Sequence, residues 1–268
     1  MKDGAEQKQK EIFLFRHGKT EANEKHLYCG KTDLPLSEKG RTELLEKKEF
    51  CVYPDISRCK VFTSGLLRTT QSLGILYPEV VSSVKRGQSP AEDSANTNEA
   101  FSPVGDEPAS SKTDVFSPVG DDPAFIEEPS FQEIDFGDFE MKSYEELKND
   151  ERYKAWVERE VDRIQNVHQT EAENPCPNGE SWLQMRNRVL SALENALKNY
   201  RSVAIFTHGG PISAIMAHFF PDERKSLYEW QSDFGEGYKI TLDSSSSPSD
   251  FMISRASYEK IPAERCES

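Results

Sequence analysis

The chain has 268 residues, 35% of them hydrophobic, with a mean hydropathy of -0.72 and a formal net charge of -14. That length holds one large α/β domain or two small ones, and the polarity exceeds what a compact domain needs, so part of the chain is expected to lie outside any core. The negative charge argues against a protein that coats nucleic acid or anionic lipid, so neither is an expected partner and any anion site must be local.

Met1 to Lys10 is charged and lacks the apolar stretch of a secretory signal. No later run approaches the roughly 20 apolar residues of a membrane span, so the expected address is cytoplasmic. Ile12 to Phe15 then reads as a buried strand that stops at Arg16-His17-Gly18. Ser37 caps a helix whose apolar side would hold Leu44, Leu45 and Phe50. A second strand is expected at Lys60 to Thr63 and a helix from Leu66 to about Leu76, which makes a β-α-β rhythm. From Gln88 to Ala124 the character changes: five prolines and eight acidic residues stand against one base, Lys112, and Phe101 to Ala109 recurs nearly unchanged as Phe116 to Ala124, with Glu107 replaced by Asp122. Such a segment buries too little apolar area to offset its ordering entropy and reads as a flexible acidic insertion in a single domain spanning 1–268.

Tyr144 to Ile164 reads as one helix, with Trp156, Val157 and Val161 available to one face. After the break at Asn174 to Gly179, a helix from Ser181 keeps three-to-four spacing through Met185, Val189, Leu193, Ala196 and Leu197. Val203 to Phe206 is a fully apolar strand ending at Thr207-His208-Gly209, and Pro211 suits the first turn of the next helix. Tyr238 to Leu242 and Phe251 to Ile253 are the remaining strand candidates, around a serine-rich loop. The five cysteines, Cys29, Cys51, Cys59, Cys176 and Cys266, form no CxxC pair and read as reduced thiols. No HExxH or paired Cys/His spacing points to a metal site, and no cofactor is expected.

Two strands thus end in His-Gly. In open α/β sheets the ligand crevice lies at the carboxyl ends of strands, so His17 and His208 would face one site if their strands are neighbours. Arg16 to Asn23 resembles the Arg-His-Gly-x-Thr signature of the histidine phosphatase superfamily, the phosphoglycerate-mutase-like enzymes. The likeness continues in family order through Tyr28 to Ser37, Ser64 to Gln71 with Arg68, Phe131 to Glu140 with Glu133, Gly179-Glu180-Ser181, and Thr207-His208-Gly209. It implies a three-layer α/β/α sandwich with a mostly parallel central sheet, and a metal-independent phosphatase acting on a small-molecule phosphate ester.

The resemblance implies His17 as nucleophile, Arg16, Arg68 and His208 around the transferring group, and Glu133 as proton donor, with Asp135 as fallback. Thr20, Asn23, Gly30, Thr32 and Gly209 are the implied substrate-binding positions. These roles suit the chemistry. A phosphate dianion repels charged nucleophiles, neutral imidazole escapes that repulsion, and forked guanidinium groups match phosphoryl oxygens. A carboxyl group near a dianion and apolar neighbours can stay protonated for donation. Glu180 is a candidate for orienting the phosphate-binding groups. His26, His168 and His218 lie outside the matched positions and read as surface or core residues.

Tyr28 to Ser37 resembles the phosphatase branch, including α-ribazole phosphatases and fructose-2,6-bisphosphatase-like enzymes, more than the mutases. Nor is there an arginine-rich stretch of the kind mutases use for a carboxylate. Met141 departs from the glycine that many members carry after the acid aligning with Glu140, and is expected to bear on substrate fit. Two alternatives stand beside hydrolysis: a phosphoglycerate-mutase-type phosphotransferase, and a non-catalytic module binding a phospho-ligand or a partner. The acidic insertion, close before Glu133 in sequence, is a candidate lid or docking arm for a protein partner.

Overall fold

A computed structural model describes residues 9–85, 124–157, 175–243 and 256–264. The acidic insertion except Ala124, Val161, His168, the strand expected at Phe251 to Ile253, and Cys266 therefore lie outside the described residues.

Among the described residues six strands form the central sheet: β1 (Lys10–Arg16), β3 (Lys60–Thr63), β4 (Phe125–Glu127), β5 (Ser202–Thr207), β6 (Gly237–Leu242) and β7 (Ala256–Ile261). Their order is β4-β3-β5-β1-β6-β7; the first four are parallel, β6 runs antiparallel to β1, and β7 runs antiparallel to β6. A separate two-stranded ribbon joins β2 (Cys51–Val52) to β8 (Ala263–Glu264). The fold is the expected α/β arrangement with a mostly parallel sheet.

Helices cover both faces because the central strands are apolar on both faces. Ile12, Leu14, Val203 and Ile205 pack with Met185, Val189 and Leu193 of α7 (Trp182–Asn199) and Ile212, Ile215 and Met216 of α8 (Gly209–Phe219). The alternate residues Phe13, Phe15, Ala204 and Phe206 pack on the opposite face with Leu44 of α2 (Glu38–Phe50) and Leu73 and Leu76 of α3 (Leu67–Leu76). Phe15 and Phe206 stack with centroids 4.6 Å apart, which locks the pairing of β1 and β5 from the side-chain layer as well as the backbone.

Two expectations need correction. α2 does not bury its whole apolar set: Leu44 is inside, while Leu45 and Phe50 are exposed. Tyr144 to Ile164 is not one helix: α5 (Tyr144–Leu147) ends in a turn and helix α6 starts at 151, where Asp150 accepts the backbone N–H and guanidinium of Arg152. The sheet gains β4 directly after the insertion, and α4 (Pro78–Lys85) follows α3. The short α1 (Glu21–Glu24) lies just after the end of β1.

Met141 has φ 58° and is exposed at the turn after Phe139, its N–H donating to Tyr28 O at 2.7 Å. Its departure from glycine is thus first a matter of backbone conformation. A left-handed conformation costs an L-residue about 1–2 kcal/mol, whereas glycine adopts it freely but loses about 0.5–1 kcal/mol of chain entropy. The steric term wins, so Met141→Gly is expected to stabilise the fold by about 0.5–1 kcal/mol, read as a higher urea midpoint with unchanged m-value. A lower midpoint would show that this side chain contributes packing that outweighs its strain.

Candidate active site

β1 and β5 pair in parallel with Arg16 opposite Thr207, so the next residue of each strand, His17 and His208, leaves the sheet at the same level. The His17 N–H donates to Thr207 O at 3.1 Å, extending the ladder one step beyond the strand. The two imidazoles lie with centroids 5.0 Å apart, both buried. Ser64, just after β3, joins the same row of strand ends.

The protonation pattern of each ring follows from its partners. His17 Nδ1 lies 2.6 Å from Gly18 O, an acceptor only, so Nδ1 carries the hydrogen and Nε2 keeps a lone pair. Arg68 Nε–H, a donor only, meets His208 Nδ1 at 3.2 Å. His208 in its neutral form therefore holds its hydrogen on Nε2, which donates to Ser64 Oγ at 2.9 Å. Burial, then Arg68 and Arg16, push the His17 pKa well below its usual range, against one opposing contribution from the Gly18 carbonyl. Burial first, with Arg68 next, does the same to His208. Both rings are neutral at physiological pH.

Arg68 is the second residue of α3, whose first N–H is capped from outside the helix by Asp33 Oδ1 at 2.7 Å. Its Nη1 and Nη2 donate to Thr32 O and Gly30 O at 2.8 and 2.6 Å. The loop that presents those carbonyls is in turn held by Glu140, which accepts from Gly30 N, Lys31 N and the Thr32 hydroxyl at 2.9, 3.0 and 2.8 Å. Gly30 has no room for a side chain, since a Cβ would stand 1.8 Å from Ile134 O. Gly30 and Thr32 thus reach the site through Arg68, an arrangement with no signature in the sequence.

Arg16 donates from Nη1 to Ser232 O at 2.7 Å and lies with Cζ 4.1 Å from the centre of the Phe234 ring, while its buried Nε has no hydrogen-bond partner among the described residues. Burial lowers its pKa, with Glu133 and then Asp233 opposing, and a guanidinium remains charged throughout. Glu133 accepts from Gly210 N through Oε2 and from Ile134 N through Oε1, both at 3.0 Å, at the start of α8. Asp135 instead pairs with Lys31 at 2.9 Å and caps Gly137 N. Gly209 packs against Gln231 and Arg16.

Thr20 and Asn23 bond each other: Thr20 N and Oγ1 both donate to Asn23 Oδ1, at 3.0 and 2.9 Å. Asn23 Nδ2 is left as the donor end of that amide, and no hydrogen bond joins either residue to His17 or His208 among the described residues. Glu180 pairs with Arg188, a residue that sequence reasoning had no cause to single out. His26 is exposed and His218 sits in the last turn of α8, at the far end of that helix from His208.

The sequence profile of the histidine phosphatase superfamily, branch 1, matches residues 12–86 and 118–247, and the intervening gap covers most of the acidic segment. Phosphoglycerate mutases 3 and 1 of Saccharomyces cerevisiae are 34% and 41% identical over 74 and 70 residues, about a quarter of the length of each relative. Among solved structures, a protein proposed to be an alpha-ribazole-5'-P phosphatase from Escherichia coli superposes with TM-score 0.60 at 19% identity, over 96% of this chain and 99% of that one. A phosphoglycerate mutase from Thermus thermophilus does so with TM-score 0.50 at 22% identity, over 88% and 94%.

The buried neutral imidazoles set a pH dependence of stability. The unfolded chain takes up protons as pH falls through the ordinary imidazole range, about 6.5, while the folded chain refuses them at His17 and His208. Stability is therefore full above that range and is lost as pH falls through it. Thermal melts should show Tm falling between about pH 7.5 and 5.5, above the range where most carboxylates titrate, with a flatter profile in His208→Asn. A flat profile in the parent protein would show that these rings are not held neutral.

Proposed function

Because the chain belongs to the histidine phosphatase superfamily, branch 1, we propose that it hydrolyses small-molecule phosphate monoesters through a phosphohistidine formed on His17. The observation that carries this reading is the His17 ring: neutral, with Nδ1 held by Gly18 O and Nε2 unoccupied by any hydrogen bond among the described residues, beside two guanidinium groups. A phosphate dianion would meet a nucleophile that does not repel it and cations that do not need to be gathered from solvent.

In the first step the Nε2 lone pair attacks phosphorus, a P–N bond forms, and the ester P–O bond breaks with its electron pair going to the leaving oxygen. That oxygen takes its proton from the Glu133 carboxyl. Water then attacks phosphorus, the P–N electron pair returns to Nε2, and the Glu133 carboxylate accepts the water proton, releasing inorganic phosphate. Arg16 supplies charge through the donors it does not spend on Ser232 O, and Arg68 carries its charge into the same space. The His208 Nε2–H would be shared between Ser64 Oγ and a phosphoryl oxygen.

Transfer to water is favoured by the likeness of Tyr28 to Ser37 to the phosphatase branch. Transfer to a second hydroxyl, as in a mutase, is the second reading, favoured by the local identity to the yeast phosphoglycerate mutases. Retention of every reacting group argues against a non-catalytic binding module.

Purified protein is expected to release phosphate from p-nitrophenyl phosphate in the presence of EDTA, with His17→Ala at background and acid-labile, alkali-stable label on His17 in the parent. Activity that requires added metal, or survives His17→Ala, would overturn the mechanism; isomerisation of a phosphoglycerate faster than its hydrolysis would favour the mutase reading. A second expectation concerns Gly210, where a Cβ would stand 2.1 Å from Glu133 Oε1. That atom is the end of a flexible side chain, so Gly210→Ala should fold with stability changed by no more than about 1 kcal/mol. It should nevertheless displace the acid and slow alkyl phosphate hydrolysis by on the order of 10²-fold. Unchanged turnover of an alkyl phosphate would separate Glu133 from the proton transfer.

A further inference from the structure

Arg188, in the second turn of α7, spends all five of its N–H donors. Nε and Nη2 donate to the two oxygens of Glu180, each at 2.8 Å. Nη1 donates to Ser130 O and Gln132 O at 2.9 and 2.8 Å, and the second Nη2 hydrogen goes to Glu133 O at 2.8 Å. Glu180 Oε2 also accepts from Asp135 N at 3.4 Å. One ion pair thus straps residues 130–135, the irregular stretch that carries Glu133.

From this clamp we propose that Arg188, held by Glu180, is a positioning residue that sets the aim of the Glu133 carboxyl for protonating the leaving group; the inference rests on the hydrolytic reading above. The Glu133 side chain is tied at its tip to Gly210 N and Ile134 N, and its own carbonyl is tied to Arg188. Tip and root are therefore anchored to different helices, the tip to the first turn of α8 and the root to α7. Phe131 and Ile134 on either side are buried in the core, whereas Glu133 itself lines an open cleft of about 680 Å³ with Gln132, Gln184 and Arg188 among others, so its carbonyl takes its hydrogen bond from the guanidinium. Lysine is no substitute. Its single nitrogen cannot span a bidentate carboxylate and three carbonyls on separate sides.

A purely structural strap and a positioning strap differ in what they do to leaving groups. A nitrophenolate departs without a proton, whereas an alkoxide needs one, so misaim of the acid is felt by alkyl esters alone. Arg188→Lys is expected to lose on the order of 10²-fold in kcat on an alkyl phosphate such as glycerol phosphate, with KM little changed. Its loss on p-nitrophenyl phosphate should be no more than a few-fold, and phosphohistidine should still form on His17 with that ester. Glu180→Gln, which leaves the carbonyl contacts of Arg188 in place, should show the same selectivity more weakly and guards against a lysine variant that fails to fold. In a Glu133→Gln background, Arg188→Lys should cost nothing further on the alkyl ester, because both changes act through one proton.

Equal losses on the two esters, in either variant, or full additivity with Glu133→Gln, would overturn the positioning role while leaving the phosphohistidine mechanism standing. Failure of the parent protein to label His17 would overturn the mechanism and this inference with it.

Discussion

The parallel pairing of β1 with β5 is the constraint on which the site depends. Its register sets Arg16 against Thr207, and the two residues that follow are the histidines. Backbone hydrogen bonds alone place the rings side by side, and the Phe15–Phe206 stack resists a one-residue slip, which would turn every side chain to the opposite face. Placed in the middle of a six-stranded sheet, the pair is surrounded by core on both faces and open only at the strand ends.

Into that apolar setting the fold brings guanidinium groups, and the way it does so decides the state of the imidazoles. A buried cation is costly unless its donors are satisfied. Arg68 meets this with two carbonyls and a ring nitrogen, and Glu140 fixes the loop that presents the carbonyls. The layers run from Glu140 through residues 30–32 and Arg68 to His208, so a carboxylate remote from the rings helps to orient one of them. Arg16 is satisfied less completely, by Ser232 O and the face of Phe234, which leaves donor capacity for an oxyanion.

Much of this was legible in the sequence. Unbroken apolar runs marked β1 and β5, three-to-four spacing marked α7, and the doubled His-Gly endings pointed to a shared crevice before the strands were known to be neighbours. Legibility failed where a residue's role depends on distant backbone. Arg188 sits in an amphipathic helix beside Met185 and Val189, and nothing local distinguishes it from a solvated arginine. Glu140 looks like any loop acid until four separate donors converge on it. The expected apolar face of α2 failed because only Leu44 of that set reaches the core, and β4 was hidden because three residues after an acidic tract carry too little pattern to read.

The hydrogen bond from His17 to Gly18 O runs to the adjoining peptide group rather than to a side chain. No replacement of a neighbouring residue can delete that acceptor, because every amino acid supplies a carbonyl. The tautomer with its hydrogen on Nδ1 is consequently inherited from the path of the main chain, and the walls around the ring are free to diversify without disturbing the lone pair on Nε2.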